Sequence, residues 1–286
     1  MTGIGARQFG VVGLGLMGAS LARAVRGRDP GVRVVAVEPD AAVRRQALAD
    51  GVADVALPEA GAALRGCDVV VLCTPIAAIE ALLEPVSRHL DPGAVLSDVG
   101  GAKERVVARA ARDVCAGVSF VGAHPMFGGH GGYANARADR WQGGTVAVCT
   151  DGDAAAVERV AGLHAALGAR VVRCTAAEHD AAVAMVSHLP YLVASALAVA
   201  ARESGPLAAL LAGPGLRDMT RLAQFPFDIQ GEVARRNDRL PAAAERLRVH
   251  LSGVLAAIAA SPEAARGALE EARAARAALY PAGGGA

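Results

Sequence analysis

The chain has 286 residues, 53% of them hydrophobic and 20% charged, with a formal net charge of +1 and a mean hydropathy of +0.34. That is apolar mass for one large core or two modest ones, at roughly 150 residues per domain, with no need of metal or disulfide staples. The near-zero charge excludes a broadly basic nucleic-acid binder and an acidic tail.

Alternating short apolar runs and helical stretches fill the first part of the chain. Phe9–Val12 is a β-type run, and a glycine turn leads into a helix ending near Arg28. Val32–Val37 is a second strand and Ala41–Asp50 a helix. Asp68–Cys73 is a near-continuous apolar run of the kind buried on both faces of a parallel sheet. Ile76–Leu90 is helical until Asp91-Pro92-Gly93 stops it. Ala94–Asp98 and Ser119–Gly122 are further strands, with a helix around Lys103–Val114 between them. A glycine-rich loop, 126–144, leads to strand Thr145–Cys149, helix Ala154–Leu167 and strand Arg170–Arg173. From Ala176 the strand pattern stops, and Ala/Leu/Arg/Glu-rich helices run to the end.

This order predicts an α/β Rossmann-type dinucleotide-binding domain (residues 1–175) followed by an all-α domain (176–286). The N-terminus lacks the charged and apolar regions of a signal peptide. The most apolar later stretch, 183–200, contains His188 and Pro190 and is expected to be a buried helix rather than a membrane span. The five dispersed cysteines (Cys67, Cys73, Cys115, Cys149, Cys174) show no C-x-x-C pair and no metal spacing, as reduced thiols of a cytoplasmic protein would.

Gly13-Leu14-Gly15-Leu16-Met17-Gly18 sits between a strand and a helix, the context a dinucleotide fingerprint requires. The first glycine permits the tight turn, the second admits a pyrophosphate, and the third lets helix pack on strand. Glu38, at the end of the second strand, stands where an acid bonds the adenine ribose, so NAD is expected over NADP. Thr74 and Pro75, after the buried strand, border the nicotinamide side. His124, beyond the strand Ser119–Gly122, lies at the carboxyl edge where open α/β sheets bind ligands, and suits general-base work.

Three segments together carry a family resemblance. His124-Pro125-Met126-Phe127-Gly128, Ser187-His188-Leu189-Pro190 and Gly213-Pro214-Gly215-Leu216-Arg217-Asp218-Met219-Thr220-Arg221 resemble the prephenate/arogenate dehydrogenases of tyrosine biosynthesis. The resemblance implies NAD-dependent oxidative decarboxylation of a small cyclohexadienyl dicarboxylate, by a homodimer joined through its helical domain. It implies that His124 bonds the C4 hydroxyl as hydride leaves, and that Arg221 holds the ring carboxylate, with Asp218 placed to orient it. His188 is expected to line the cleft or to pack.

The chain departs from the family pattern at three points. Gly101 stands where many members carry a serine that bonds the catalytic histidine. His130 replaces a common acidic residue, and Tyr191 a second histidine. These changes fall where the substrate would be read, so arogenate or 4-amino-4-deoxyprephenate are alternative substrates. The glycine motif also resembles β-hydroxyacid dehydrogenases, but those use a lysine of the helical domain, and the single lysine here, Lys103, lies in the sheet domain. A non-catalytic dinucleotide sensor is the remaining alternative.

Overall fold

The computed structural model describes residues 4–129 and 131–280. Its larger sheet is built from β1 (Gln8–Val12), β2 (Arg33–Val37), β3 (Val55–Leu57), β4 (Val69–Leu72), β5 (Val95–Asp98) and β6 (Ser119–Val121). All pairs are parallel and the spatial order is β3-β2-β1-β4-β5-β6. The crossovers are α1 (Leu16–Arg28), α2 (Ala41–Ala49), α3 (Ile76–Ser87) and α4 (Glu104–Asp113). The strand order reverses between β1 and β4, and the carboxyl ends of these two strands border the crevice where such sheets bind ligands.

The central strands show why the sheet forms. Val69, Val70, Val71 and Leu72 of β4 are all fully buried, because helices cover both faces. Each such side chain contributes about 1.5–3 kcal/mol of transfer free energy. β3 went unpredicted: three residues, none of them fully buried, leave too short a pattern to read.

A second, three-stranded sheet follows, from β7 (Ala123–Pro125), β8 (Thr145–Cys149) and β9 (Arg170–Cys174), with α5 (Ala154–Ala166) between the last two. β7 runs antiparallel to β8, and β8 parallel to β9. His124 was expected just beyond the strand Ser119–Gly122, with no strand of its own. It instead sits mid-strand, opposite Ala147, so the β-ladder fixes its backbone. A three-residue strand containing His and Pro has no hydrophobic pattern to announce it.

The helical portion comprises α6 (Ala176–Val183), a π-turn (Ala184–His188), α7 (Leu189–Glu203), α8 (Pro206–Leu210), α9 (Pro214–Thr220), a 3₁₀ turn (Arg221–Gln224), a second π-turn (Phe227–Gly231), α10 (Glu232–Arg235), α11 (Leu240–Ala260) and α12 (Pro262–Leu279). α6 opens with a capping box, in which Thr175 and Glu178 satisfy each other's backbone N–H groups. Residues up to Asp238 form one compact unit with both sheets, and 239 onward form another.

From Ala176 to Glu203 the helix is continuous and, by length and composition, apolar enough to cross a membrane. It is not the fully buried helix expected. His179, Asp180, Val183, Ala184, His188 and Leu189 are buried, while Val186 and Val199 are exposed. The buried polar groups are bonded to the sheet unit, as described below.

Candidate active site

The glycine turn between β1 and α1 is held by its backbone. Gly13 adopts φ +89°, and a Cβ there would stand 2.9 Å from the Cys73 carbonyl oxygen. Gly18 lies so close to Gly13 that any side chain would overlap its carbonyl, which draws α1 onto the turn. Gly15 has open space around it, and no side chain caps the helix it starts. Leu14 and Leu16 are buried, Met17 partly so. The N–H groups of Gly13 and Leu14 are taken by the Val37 carbonyl and by Glu38, and the following N–H groups, at the open N-terminus of α1, make a cradle suited to a pyrophosphate.

Glu38 follows β2 directly. Its Oε2 accepts from the N–H of Leu14 at 2.8 Å and its Oε1 from Asp40 at 2.9 Å. The carboxylate is thereby fixed at the glycine turn, at the end of β2, with spare lone pairs for a ribose hydroxyl. On the other side of the cradle, Thr74 and Pro75 join β4 to α3. Thr74 Oγ1 is buried without a hydrogen-bond partner. A buried polar atom left unpaired in a ligand crevice marks a place for a ligand atom, and with the open Gly15 cradle the residues present fit a dinucleotide.

The loop between β7 and β8 lies over this cradle. Gly128 faces Met17 and Gly129 faces Leu16, while the Arg137 N–H donates to Ser20 Oγ at 3.0 Å. Tyr133 donates its hydroxyl to Asp50 at 2.9 Å beneath the Arg23 guanidinium. His130 falls outside the described residues.

His124 is the centre of a hydrogen-bonded chain. Its Nδ1 lies 2.9 Å from Nε2 of His179, and Nδ1 of His179 lies 2.7 Å from Asp180 Oδ1. Asp180 also accepts from the N–H of Lys103 at 2.8 Å and of Glu104 at 2.9 Å. It thus caps α4, which has no local side-chain cap. Burial pushes the Asp180 carboxyl up, but the hydrogen bonds from His179, Glu104 and Lys103 outweigh it and hold its pKa below the ordinary value. An ionised carboxylate only accepts, so in the neutral form of the chain His179 carries its proton on Nδ1. His124 must then carry its own on Nδ1, leaving a lone pair on Nε2.

Burial depresses the His124 pKa well below the ordinary histidine value, and nearby His179, Lys103 and His188 add to it. The ring is a neutral base at physiological pH. His124 Nε2 faces Gly101. The absence of a serine at 101 therefore does not leave the imidazole unoriented, because His179 holds the opposite nitrogen. Sequence reading missed His179 and Asp180, which lie 55 residues from His124 and 77 from Lys103. The adjacent His-Asp pair at the opening of α6 was the available signal.

Lys103 donates from Nζ to Asp98 and, at 3.0 Å, to the Ala123 carbonyl. Both charged side chains are fully buried, so the pair locks β5 to β7 and leaves no lysine for acid/base work. His188 is packed: its Nδ1 meets Asn237 Nδ2 at 3.0 Å, and burial lowers its pKa to about 4. Tyr191 is half-buried and lines a small cavity of about 130 Å³ with Ser187, Leu222 and Phe225. Arg221 opens the 3₁₀ turn beside that cavity and is exposed, without an ionic partner among the described residues. The expected Asp218–Arg221 pair is not formed among the described residues, although Asp218 near the end of α9 and Arg221 at the start of the 3₁₀ turn are three residues apart. Arg236 is mostly buried and pairs with Glu80 at 3.3 Å and with Glu232.

Two family models match the chain: "Prephenate dehydrogenase, nucleotide-binding domain" over residues 21–173 and "Prephenate dehydrogenase, dimerization domain" over 175–262. The chain is 30% identical over 221 residues to a prephenate dehydrogenase of Bacillus subtilis, a match covering 74% of this chain and 59% of that protein. It is 36% identical over 154 residues to a 4-amino-4-deoxyprephenate dehydrogenase of Streptomyces pristinaespiralis, covering 54% of this chain and 44% of the relative. The match thus spans about three fifths or less of the length of these relatives. Among solved structures, the arogenate dehydrogenase of Synechocystis superposes with a TM-score of 0.84 at 29% identity, covering 95% of this chain and 99% of that one.

Proposed function

Because the chain belongs to the prephenate dehydrogenase family, we propose that it is a cytoplasmic, homodimeric NAD-dependent dehydrogenase that oxidatively decarboxylates a cyclohexadienyl acid of the prephenate class. Bound at the glycine cradle, NAD supplies the hydride acceptor. Gly13 to Gly18 hold its pyrophosphate, Glu38 its adenine ribose, and Thr74 and Pro75 border its nicotinamide side.

The chain's own residues then divide the work. His124 takes a proton from the C4 substituent as hydride leaves that carbon, which the lone pair on Nε2 equips it to do. His179 and Asp180 hold His124 in the accepting tautomer and stabilise the imidazolium that forms, His179 Nε2 accepting the Nδ1–H bond and Asp180 carrying the compensating charge. Arg221 holds the ring carboxylate until it departs as carbon dioxide; an exposed guanidinium without an ionic partner among the described residues supports that role. His188 and Tyr191 support the substrate pocket from the helical side, His188 by packing and Tyr191 at the cavity wall. Gly101 and His130 are further positions at which the substrate is read.

The observation carrying the reading is the fixed His124–His179–Asp180 chain at the carboxyl edge of the dinucleotide-binding sheet. Helix α11 presents Val249, Leu251, Leu255 and Ile258 more than half exposed, which supports a dimer through the helices. The test is reduced-nicotinamide formation by the purified protein with NAD or NADP and prephenate, arogenate or 4-amino-4-deoxyprephenate. Turnover of one substrate sustains the dehydrogenase. Tight NAD binding with no turnover of any would replace it by the dinucleotide sensor.

A further inference from the structure

Asn237 is tied to both flanks of His124. It lies just beyond α10 and is only 3% exposed. Its Nδ2 donates to the Asp180 carbonyl at 2.8 Å and stands 3.0 Å from His188 Nδ1. The Asp180 carboxylate, acting through His179, holds the Nδ1 side of His124. His188 in turn meets the backbone of Gly101, where a Cβ would lie 3.6 Å from His124 Nε2. Val233 covers the same glycine, its Cγ1 2.8 Å from that Cβ position. One amide thus connects to the surroundings of both ring nitrogens of the proposed base. It also clasps a turn: Asp180 lies in α6, and His188 ends the π-turn that follows. Such turns break the regular helical ladder and recur at functional sites.

These bonds fix which nitrogen of His188 carries a proton. A backbone carbonyl only accepts, so the atom of Asn237 that faces Asp180 is the amide nitrogen. The second hydrogen of that nitrogen is directed at His188 Nδ1, which must hold a lone pair. Burial keeps the ring neutral, lowering its pKa to about 4. Its single proton is therefore on Nε2. The contact with the Gly101 backbone favours a proton-carrying ring, as a carbonyl accepting from Nε2–H does. Burial sets the charge of His188, and Asn237 sets its tautomer.

We propose that Asn237 is a positioning residue of the active site. It fixes His188 as the Nε2–H tautomer, and through His188 it holds the Gly101 backbone at the rim of the reacting nitrogen. The same amide steadies the Asp180 end of the chain that orients His124. A His188 released from this bond and protonated would place a positive charge where it lowers the basicity of His124. The inference rests on the dehydrogenase reading and extends it to a residue that reaches the base only through others.

Two variants separate the donor from the volume. Asn237→Asp keeps the shape, but an ionised carboxylate only accepts, so His188 is expected to move its proton to Nδ1. Asn237→Leu keeps roughly the volume with neither donor nor acceptor, so both tautomers are expected. Ring-nitrogen chemical shifts at neutral pH report the tautomer, the His188 signals being identified by their loss in His188→Gln. The wild type is expected to show the Nε2–H form. Kinetics are read on whichever of prephenate, arogenate and 4-amino-4-deoxyprephenate turns over fastest. In both variants kcat should fall about 10- to 100-fold through misplacement of the base. KM for NAD should stay within about twofold of wild type, because the glycine cradle is untouched.

A wild-type His188 with its proton on Nδ1 overturns the inference, and that spectrum requires no variant to fold. An unchanged tautomer in Asn237→Asp overturns it as well. Wild-type kcat in a variant whose tautomer has moved overturns the positioning role, as does a rise in KM for NAD at unchanged kcat. Absence of turnover on all three acids removes the dehydrogenase reading and the catalytic part of this inference, while the spectra still decide whether Asn237 sets the tautomer of His188.

Discussion

His179 stands edge-on to His124, with ring centroids 5.1 Å apart, planes at 69° and facing nitrogens 2.9 Å apart. Two imidazole nitrogens at that distance share one proton, so each ring sets the tautomer of the other. Asp180, bonded to the far nitrogen of His179, decides which way the pair is set. The tautomer of the proposed base is therefore set by a carboxylate two side chains away.

His124→Asn should lower kcat by about 10²–10⁴-fold with KM near wild type, because proton transfer is realised in the transition state. Steady-state kinetics on the preferred substrate check it. An unchanged kcat removes His124 from the mechanism.

His179→Ala should lower kcat by about 10²-fold through loss of orientation, again with little change in KM. Asp180→Ala should do the same and also destabilise the fold by about 1–2 kcal/mol, since the N–H groups of Lys103 and Glu104 lose their cap. If His179→Ala changes KM alone, His179 shapes the pocket rather than positioning the base.

Arg221→Gln should act mainly on substrate binding, by about 2–5 kcal/mol where the bound substrate buries its carboxylate against the guanidinium. Arg221→Lys should recover little, because an ammonium does not reproduce the bidentate fork. A normal KM in both variants would assign the ring carboxylate to another cation.

Glu38→Ser should narrow the preference for NAD over NADP by about tenfold, or about 1.4 kcal/mol. The change removes the charge that opposes a 2′-phosphate, with Arg44 close by on the Glu38 and Pro39 carbonyls. Equal ratios in variant and wild type would place the discrimination elsewhere.

Stability should fall in acid in a window set by buried histidines. Burial lowers the pKa of His164 and of His188 to about 4, below the ordinary value of about 6.5. Stability from keeping them neutral is fully present above about pH 6.5 and is lost as pH falls through about 4, by about 3 kcal/mol for each group. His164 accepts from Trp141 Nε1 at 2.9 Å, so His164→Gln keeps an acceptor and should flatten the Tm-against-pH curve. A parallel curve would assign the acid sensitivity to other groups.

What the sequence determined by itself is the architecture of the first sheet and its cofactor cradle. Buried parallel strands such as Val69–Leu72 are continuous apolar runs, and Gly13 and Gly18 occupy positions that local backbone geometry closes to every other residue. Such features are governed by neighbours in the chain and so are visible in it. The three motif segments likewise carry the family resemblance and single out His124. Only the tertiary structure decided what surrounds that histidine. Its place in a short strand of a second sheet, the His179–Asp180 pair that orients it and the packing of Val233 against Gly101 all come from contacts between distant segments. No residue spacing encodes such contacts, because packing of α6 and α10 against the sheets, rather than local propensity, brings those side chains within bonding distance.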